Sequence, residues 1–285
     1  MRAVVNLPLR SFLFYPCHAK VHEIAHGFDE QVWVIGNWQP QPSNLLHERG
    51  IRGGVGDEGG FAPSLPNNEA AIEAVLVAIE RAGYRPGEDI VIALDPATDE
   101  LHEDGSYSLK KEGSVLDTND MIAFWWDWSR RFPICSIEDG LAQDDWQGWS
   151  SLTSRLGAQC QIVGDGLLVT NPQRIRKAIE LRACNSSLIK LNQIGTLTET
   201  LEAVNLSHEA DWNCVISHRS GETDDAFIAD FAVATGAAQI KSGSPARGER
   251  TAKYNRLLEI EEELASKGSF IGRGAFTNPA RPWSP

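Results

Sequence analysis

Short apolar runs rich in β-branched residues recur along the chain, and each ends on a polar or charged residue. The run 89–94 ends at Asp95, 133–137 at Glu138 and 161–164 at Asp165. The run 187–189 ends at Lys190, 214–217 at His218 and 238–240 at Lys241. Runs this short and this apolar suit strands buried on both faces of a parallel sheet. Segments with helical spacing lie between them. Asn67-Asn68-Glu69 opens a pattern through Ile72, Val75, Leu76 and Ile79 that stops near Gly83. Asn171-Pro172 sets a capping residue before a proline at the first helical position, with Ile175, Ala178 and Ile179 behind it. The segments 196–204, 224–234 and 247–264 continue the alternation.

From Glu138 onward the strand ends are 27, 25, 28 and 23 residues apart, close to one strand–helix unit each. Right-handed crossovers repeated in this way either close into a barrel or wind an open sheet. In a barrel every strand's C-terminal end faces one mouth, whereas an open sheet spreads those ends along an edge. Six successive ends bearing Asp, Glu, Asp, Lys, His and Lys favour the barrel over the bland reading, in which charges merely mark where strands emerge into solvent. The expected class is α/β, a TIM-type (β/α) barrel lacking its first strand unless residues 2–7 supply it. The expected division is a divergent segment over 1–53, the barrel over 54–268 and a loosely ordered tail over 269–285.

Three carboxylates at adjacent strand ends are hard oxygen donors of the kind magnesium accepts. Without a cation they would repel one another at short range. An amine held beside a divalent ion is disfavoured as ammonium, which suits it to act as a base. Metal plus lysine serves to remove a weakly acidic proton next to a carboxylate, because the ion stabilises the enolate that forms. Arg219 and Ser220, directly after His218, are good phosphate donors. The residues therefore point to metal-assisted proton abstraction from a phosphorylated acid.

Composition narrows the field further. The chain of 285 residues carries a net charge of −13 with no basic run, so a nucleic-acid partner is not expected. No apolar stretch reaches the ~18 residues of a membrane span. Cys17, Cys135, Cys160, Cys184 and Cys214 are odd in number and contain no Cys-x-x-Cys pair, which fits reduced thiols in a cytoplasmic protein.

Several stretches together resemble the enolase (phosphopyruvate hydratase) family. They are Gly56-Asp57-Glu58-Gly59-Gly60-Phe61-Ala62-Pro63, Ala93-Leu94-Asp95, Ser136-Ile137-Glu138-Asp139 and Val163-Gly164-Asp165. Further along come Leu188-Ile189-Lys190-Leu191-Asn192-Gln193, Ser217-His218-Arg219-Ser220-Gly221-Glu222-Thr223 and Gln239-Ile240-Lys241-Ser242-Gly243. The resemblance implies a magnesium-dependent glycolytic lyase that dehydrates 2-phosphoglycerate to phosphoenolpyruvate. It implies Asp95, Glu138 and Asp165 as magnesium ligands, and Lys190 as the base that takes the C2 proton. Glu58 would help the C3 hydroxyl leave, with His218, Arg219, Ser220 and Lys241 as substrate contacts. A homodimer is also what the family implies.

The sequence departs from the family in places. No counterpart of the family's N-terminal domain is expected here, nor of its Ser-His-Ala-Gly-Gly segment. Ser11, in Leu9-Arg10-Ser11-Phe12, stands where the family has a glutamate that pairs with Glu58, and a serine cannot carry that charge. Gly166 follows Asp165 where the family usually has a second aspartate. Reduced activity is therefore expected, and a non-catalytic barrel acting as a binding protein is the alternative.

His22-Glu23-Ile24-Ala25-His26 matches the zinc-protease pattern, which needs two histidines one helical turn apart. The resemblance puts a helix in this region, but no third ligand is evident. Phe124, Trp125, Trp126 and Trp128 fit a buried helix face or a subunit contact rather than a cofactor box. Residues 32–35 suit a short strand or a helix end, and 36–44 a loop.

Overall fold

Two periodicities in the chain become two kinds of element. The structure, a computed structural model, describes residues 53–269 together with 3–4, 23–25, 33–34, 48 and 275–276. The first strands are β1 (Ala3–Val4), β2 (Glu23–Ala25), β3 (Trp33–Val34), β4 (Gly53–Val55), β5 (Phe61–Pro63) and β6 (Ile92–Leu94). Next come β7 (His102–Glu103), β8 (Ser106–Leu109) and β9 (Ser114–Leu116). The remaining strands are β10 (Ile134–Glu138), β11 (Gln161–Gly164), β12 (Ser186–Ile189), β13 (Asn213–Ser217) and β14 (Ala238–Lys241). Among the described residues the α-helices are α1 (Glu69–Arg81), α2 (Thr118–Arg131), α3 (Trp146–Leu156), α4 (Pro172–Leu181), α5 (Leu191–Ile194), α6 (Leu197–Glu209), α7 (Phe227–Ala234) and α8 (Gly248–Leu264). None is long and apolar enough to cross a membrane.

Strands β6 and β10 to β14 form one parallel sheet in the order β14-β13-β12-β11-β10-β6. Sheet order follows chain order, and helices fill the crossovers. Two side-chain contacts reveal that the sheet curls. Lys241 ends β14 at one edge, yet its Nζ lies 2.9 Å from Oδ2 of Asp95, which follows β6 at the other edge. A flat sheet would hold those edges five strand spacings apart, at about 4.8 Å each. Deeper in the interior, Gln239 of β14 and Gln161 of β11 share side-chain hydrogen bonds of 2.9 and 3.1 Å. The α/β barrel class expected from the strand spacings is therefore the architecture seen.

An antiparallel sheet in the order β1-β2-β3-β5-β4 lies at the opening between β6 and β14. Strand β1 runs close beside β6. At the other side, Ser244 N donates to Glu58 O in the turn joining β4 and β5. Within 2–7, the stretch that could replace the missing first barrel strand, Ala3–Val4 forms β1, but it pairs antiparallel with β2 and does not extend the parallel sheet.

Alternation along each strand divides the core. Leu94, Ile137, Ile162, Ile189 and Ile216 face the helices and pack with residues such as Ile72, Trp125, Trp149 and Ile175. Val163, Leu188 and Val215 form a separate interior cluster. Trp125 and Trp149 are fully buried, and their ring N–H groups donate to Gly140 O and Ala142 O. The aromatic run 124–128 is therefore a helix face set into the core, with Trp126 half-buried beneath Arg155.

One expectation needs correcting. His22 and His26 lie outside the described residues, but 23–25 between them form the extended strand β2. An extended strand over 23–25 is not the helical turn that such a zinc pair needs. The family-like helix expected there is replaced by the same strand. The sequence reading also overlooked the sheet β7-β8-β9. Its first turn is Asp104-Gly105, both at positive φ (49° and 80°), a strong two-residue hairpin signal. Trp33–Val34 settles the 32–35 ambiguity as strand, and 36–44 lies outside the described residues. In the 269–285 stretch, Ala275 and Phe276 are buried against Cys135, and Gln239 Nε2 donates to Ala275 O.

Candidate active site

Alternation also aims the strand ends. Asp95, Glu138, Asp165, Lys190 and Lys241 share parity with Ala93, Ser136, Val163, Leu188 and Gln239, which face the barrel interior. Each charged residue therefore leaves its strand pointing into the same mouth.

Lys241 is fully buried, and its Nζ lies 2.9 Å from Asp95 Oδ2 and 2.5 Å from Glu138 Oε1. Lys190 Nζ lies 2.5 Å from Asp165 Oδ2. Burial first, and then Asp95 and Asp165, push the Glu138 carboxyl well above the usual range, against the pull of Lys241 and Lys190. Asp139 is pushed up to about 8, by burial and then by Asp165 and Asp95. It accepts backbone N–H bonds from Asp165 and Gly166, both at 2.9 Å. Four carboxyls thus crowd one mouth, with two ammonium groups beside them.

The donor chemistry fits a hard divalent cation. Among the described residues, however, no three His, Cys, Asp or Glu side chains stand ready as a ligand cluster. Lys241 Nζ sits between Asp95 and Glu138, so an ammonium group already engages two of the three acids. An ion fits this donor set only once those carboxylates turn away from the lysine.

A second cluster lies beside the first. Glu58, in the turn between β4 and β5, and His218, just past β13, are both fully buried. His218 Nε2 faces Glu58 Oε2 at 3.4 Å, and Ser220 Oγ donates to Glu58 Oε1 at 3.3 Å. Burial pushes His218 down to about 4 despite Glu58, so the ring is neutral at physiological pH. The two clusters join because His218 N donates to Lys241 O at 2.8 Å. Arg219 reaches outward, with Nη1 donating to Asn192 Oδ1 at 2.7 Å.

All nine residues expected at the site therefore gather at one end of the barrel. Sequence reasoning gave no role to three others. Thr170 Oγ1 accepts Lys190 N at 2.9 Å and donates to Gln193 Oε1 at 2.7 Å. Gln193 Nε2 in turn donates to Asp165 Oδ1 at 3.2 Å. Thr170 and Val169 both hold positive φ (55° and 44°), costly for β-branched residues and frequent at functional sites. Arg250, the third, donates to His218 Nδ1 at 2.7 Å. Thr170 lies six residues past the end of β11 and Gln193 four past the end of β12, and that proximity was the available signal.

Residues 3–279 match the model of one protein family, described as Enolase, C-terminal TIM barrel domain. The matched span contains every residue of the mouth and takes in sequence on both sides of 54–268. With that match across nearly its whole length, and a curled parallel sheet beneath it, the chain belongs to the enolase family by way of the family's C-terminal TIM barrel domain.

Proposed function

We propose that this chain is an enolase-type lyase that dehydrates 2-phosphoglycerate to phosphoenolpyruvate in cytoplasmic glycolysis, with magnesium held by Asp95, Glu138 and Asp165. The observation that carries the reading is Lys190 Nζ 2.5 Å from Asp165, beside carboxylates from two further strand ends. Magnesium bound there would stabilise the negative charge that builds on the substrate carboxylate. Asp165 would be one of the residues holding the ion, and Lys190, now beside it, is the group that would take the C2 proton. Lys241, once free of Asp95 and Glu138, would meet the substrate carboxylate. Arg219 and Ser220 hold the phosphate, and His218 lines the site as a neutral donor. Glu58 assists departure of the C3 hydroxyl as water.

A non-catalytic binding barrel is the second reading, and Lys241 Nζ standing between Asp95 and Glu138 favours it. One assay separates the two. Purified protein is mixed with 2-phosphoglycerate and magnesium, and the ultraviolet absorbance of the conjugated product is followed. A rise in the wild type that Lys190→Ala reduces by at least about a hundredfold is the expected result. An absorbance trace no steeper than that of the Lys190→Ala protein would reject catalysis.

A further inference from the structure

Helix α8 carries two cations, Arg250 and Lys253, into the protein interior, and the chemistry proposed above uses neither. Both are essentially fully buried. Arg250 Nη1 lies 2.7 Å from His218 Nδ1 and 2.7 Å from Arg219 O. Its Nη2 lies 2.7 Å from Ser220 O and 3.1 Å from Asp57 O. One guanidinium therefore ties the loop bearing His218 to the turn bearing Glu58. Lys253 secures the far end of that loop, with Nζ donating to Glu222 Oε2 at 2.7 Å and to Thr223 O at 2.5 Å.

A guanidinium has donors only and cannot be deprotonated in a protein. The 2.7 Å contact therefore requires His218 Nδ1 to present a lone pair. A neutral imidazole with its lone pair at Nδ1 carries its proton at Nε2, the nitrogen that faces Glu58 Oε2. We propose that Arg250 is a positioning residue, fixing His218 as the Nε2–H tautomer and so aiming a donor at the Glu58 carboxyl. This inference rests on the reading of Glu58 as the group that helps the C3 hydroxyl leave.

Packing leaves the ring no easy alternative. Gly243 (φ +77°) lies where the three partners converge. A Cβ there would stand 2.8 Å from Glu58 O and 2.9 Å from both Arg250 Cδ and His218 Cε1. The carbonyl of Gly243 is itself held by the Tyr254 hydroxyl of α8. Helix α8, the 218–223 loop and the Glu58 turn are thus locked around one imidazole. Burial, with Arg250 and Lys241 adding to it, keeps that ring uncharged.

The test reads the tautomer directly. The full chain, labelled with 15N-histidine, is examined by long-range 1H–15N correlation from pH 5 to pH 8, with His218 assigned by loss of its signals in His218→Gln. Expected in the wild type is a neutral ring protonated at Nε2 throughout that range. Arg250→Met is expected to shift the ring towards the Nδ1–H form and to lower kcat for dehydration on the order of tenfold or more, with little change in KM. Arg250→Lys, which retains one donor, should restore the Nε2–H form. A wild-type ring protonated at Nδ1, or a tautomer unchanged in folded Arg250→Met, overturns the proposal. Should Arg250→Met fail to fold, the wild-type and Arg250→Lys spectra still decide. The spectra need no substrate, so absence of wild-type turnover with the expected tautomers refutes the lyase reading and leaves the positioning role standing.

Discussion

His218 shows what burial does to one ionisable group. An exposed histidine titrates near 6.5, whereas burial moves this one to about 4. Between those values the unfolded chain binds a proton that the folded chain refuses. Stability is therefore full above about 6.5, falls as pH drops towards 4, and loses nothing further from this group below it. The shift corresponds to roughly 3 kcal/mol. Denaturant unfolding at pH 7 and pH 4 should show the wild type losing about that much more stability than His218→Gln. Equal losses in the two proteins would mean that the ring is charged in the folded state. At this scale the sequence revealed residue types at strand ends but not their partners. Arg250 is 32 positions from His218 and lies on a helix with its own apolar pattern, so no local periodicity betrays the contact.

Among the elements, those with local signals were legible. Asn171-Pro172 opens α4 as read, with the Asn171 side chain accepting from Gln173 N at 2.9 Å and Arg174 N at 3.3 Å. Asn171→Ala should cost about 1 kcal/mol, measured as a lower denaturation midpoint with unchanged slope. A neutral effect would show that solvent caps the helix equally well. Strands β11 and β13 begin and end within a residue of the sequence reading, because short apolar runs bounded by polar groups leave little freedom. Strand β2 stands where the family resemblance put a helix, and its pairing with β1 and β3 comes from residues far away in the chain. The β7–β8 hairpin is announced only by Asp104-Gly105, because His102–Glu103 and Ser106–Leu109 are too short and too mixed in polarity to show an apolar run.

Across the whole molecule, the contact between Lys241 and Asp95 links the two edges of the parallel sheet. Strand-end spacing predicted convergence, and the curled sheet supplies it. Spacing alone could not predict that a lysine would neutralise two of the three acids. Lys241→Met leaves Asp95 and Glu138 without that ammonium and should cost on the order of 3–5 kcal/mol in metal-free buffer. If the three carboxylates hold magnesium, adding it should raise the melting temperature of Lys241→Met more than that of the wild type. Equal response in both proteins, or none, would count against an ion at these residues.

The account depends on Lys190 removing a proton from a carbon beside a carboxylate, a step that precedes loss of the hydroxyl and can be watched separately. The direct measurement is magnesium-dependent exchange of the C2 proton of 2-phosphoglycerate for deuterium in heavy water, followed by NMR. Exchange is predicted for the wild type, retained by Glu58→Gln and absent from Lys190→Ala. Exchange in the wild type no faster than in Lys190→Ala would contradict the account.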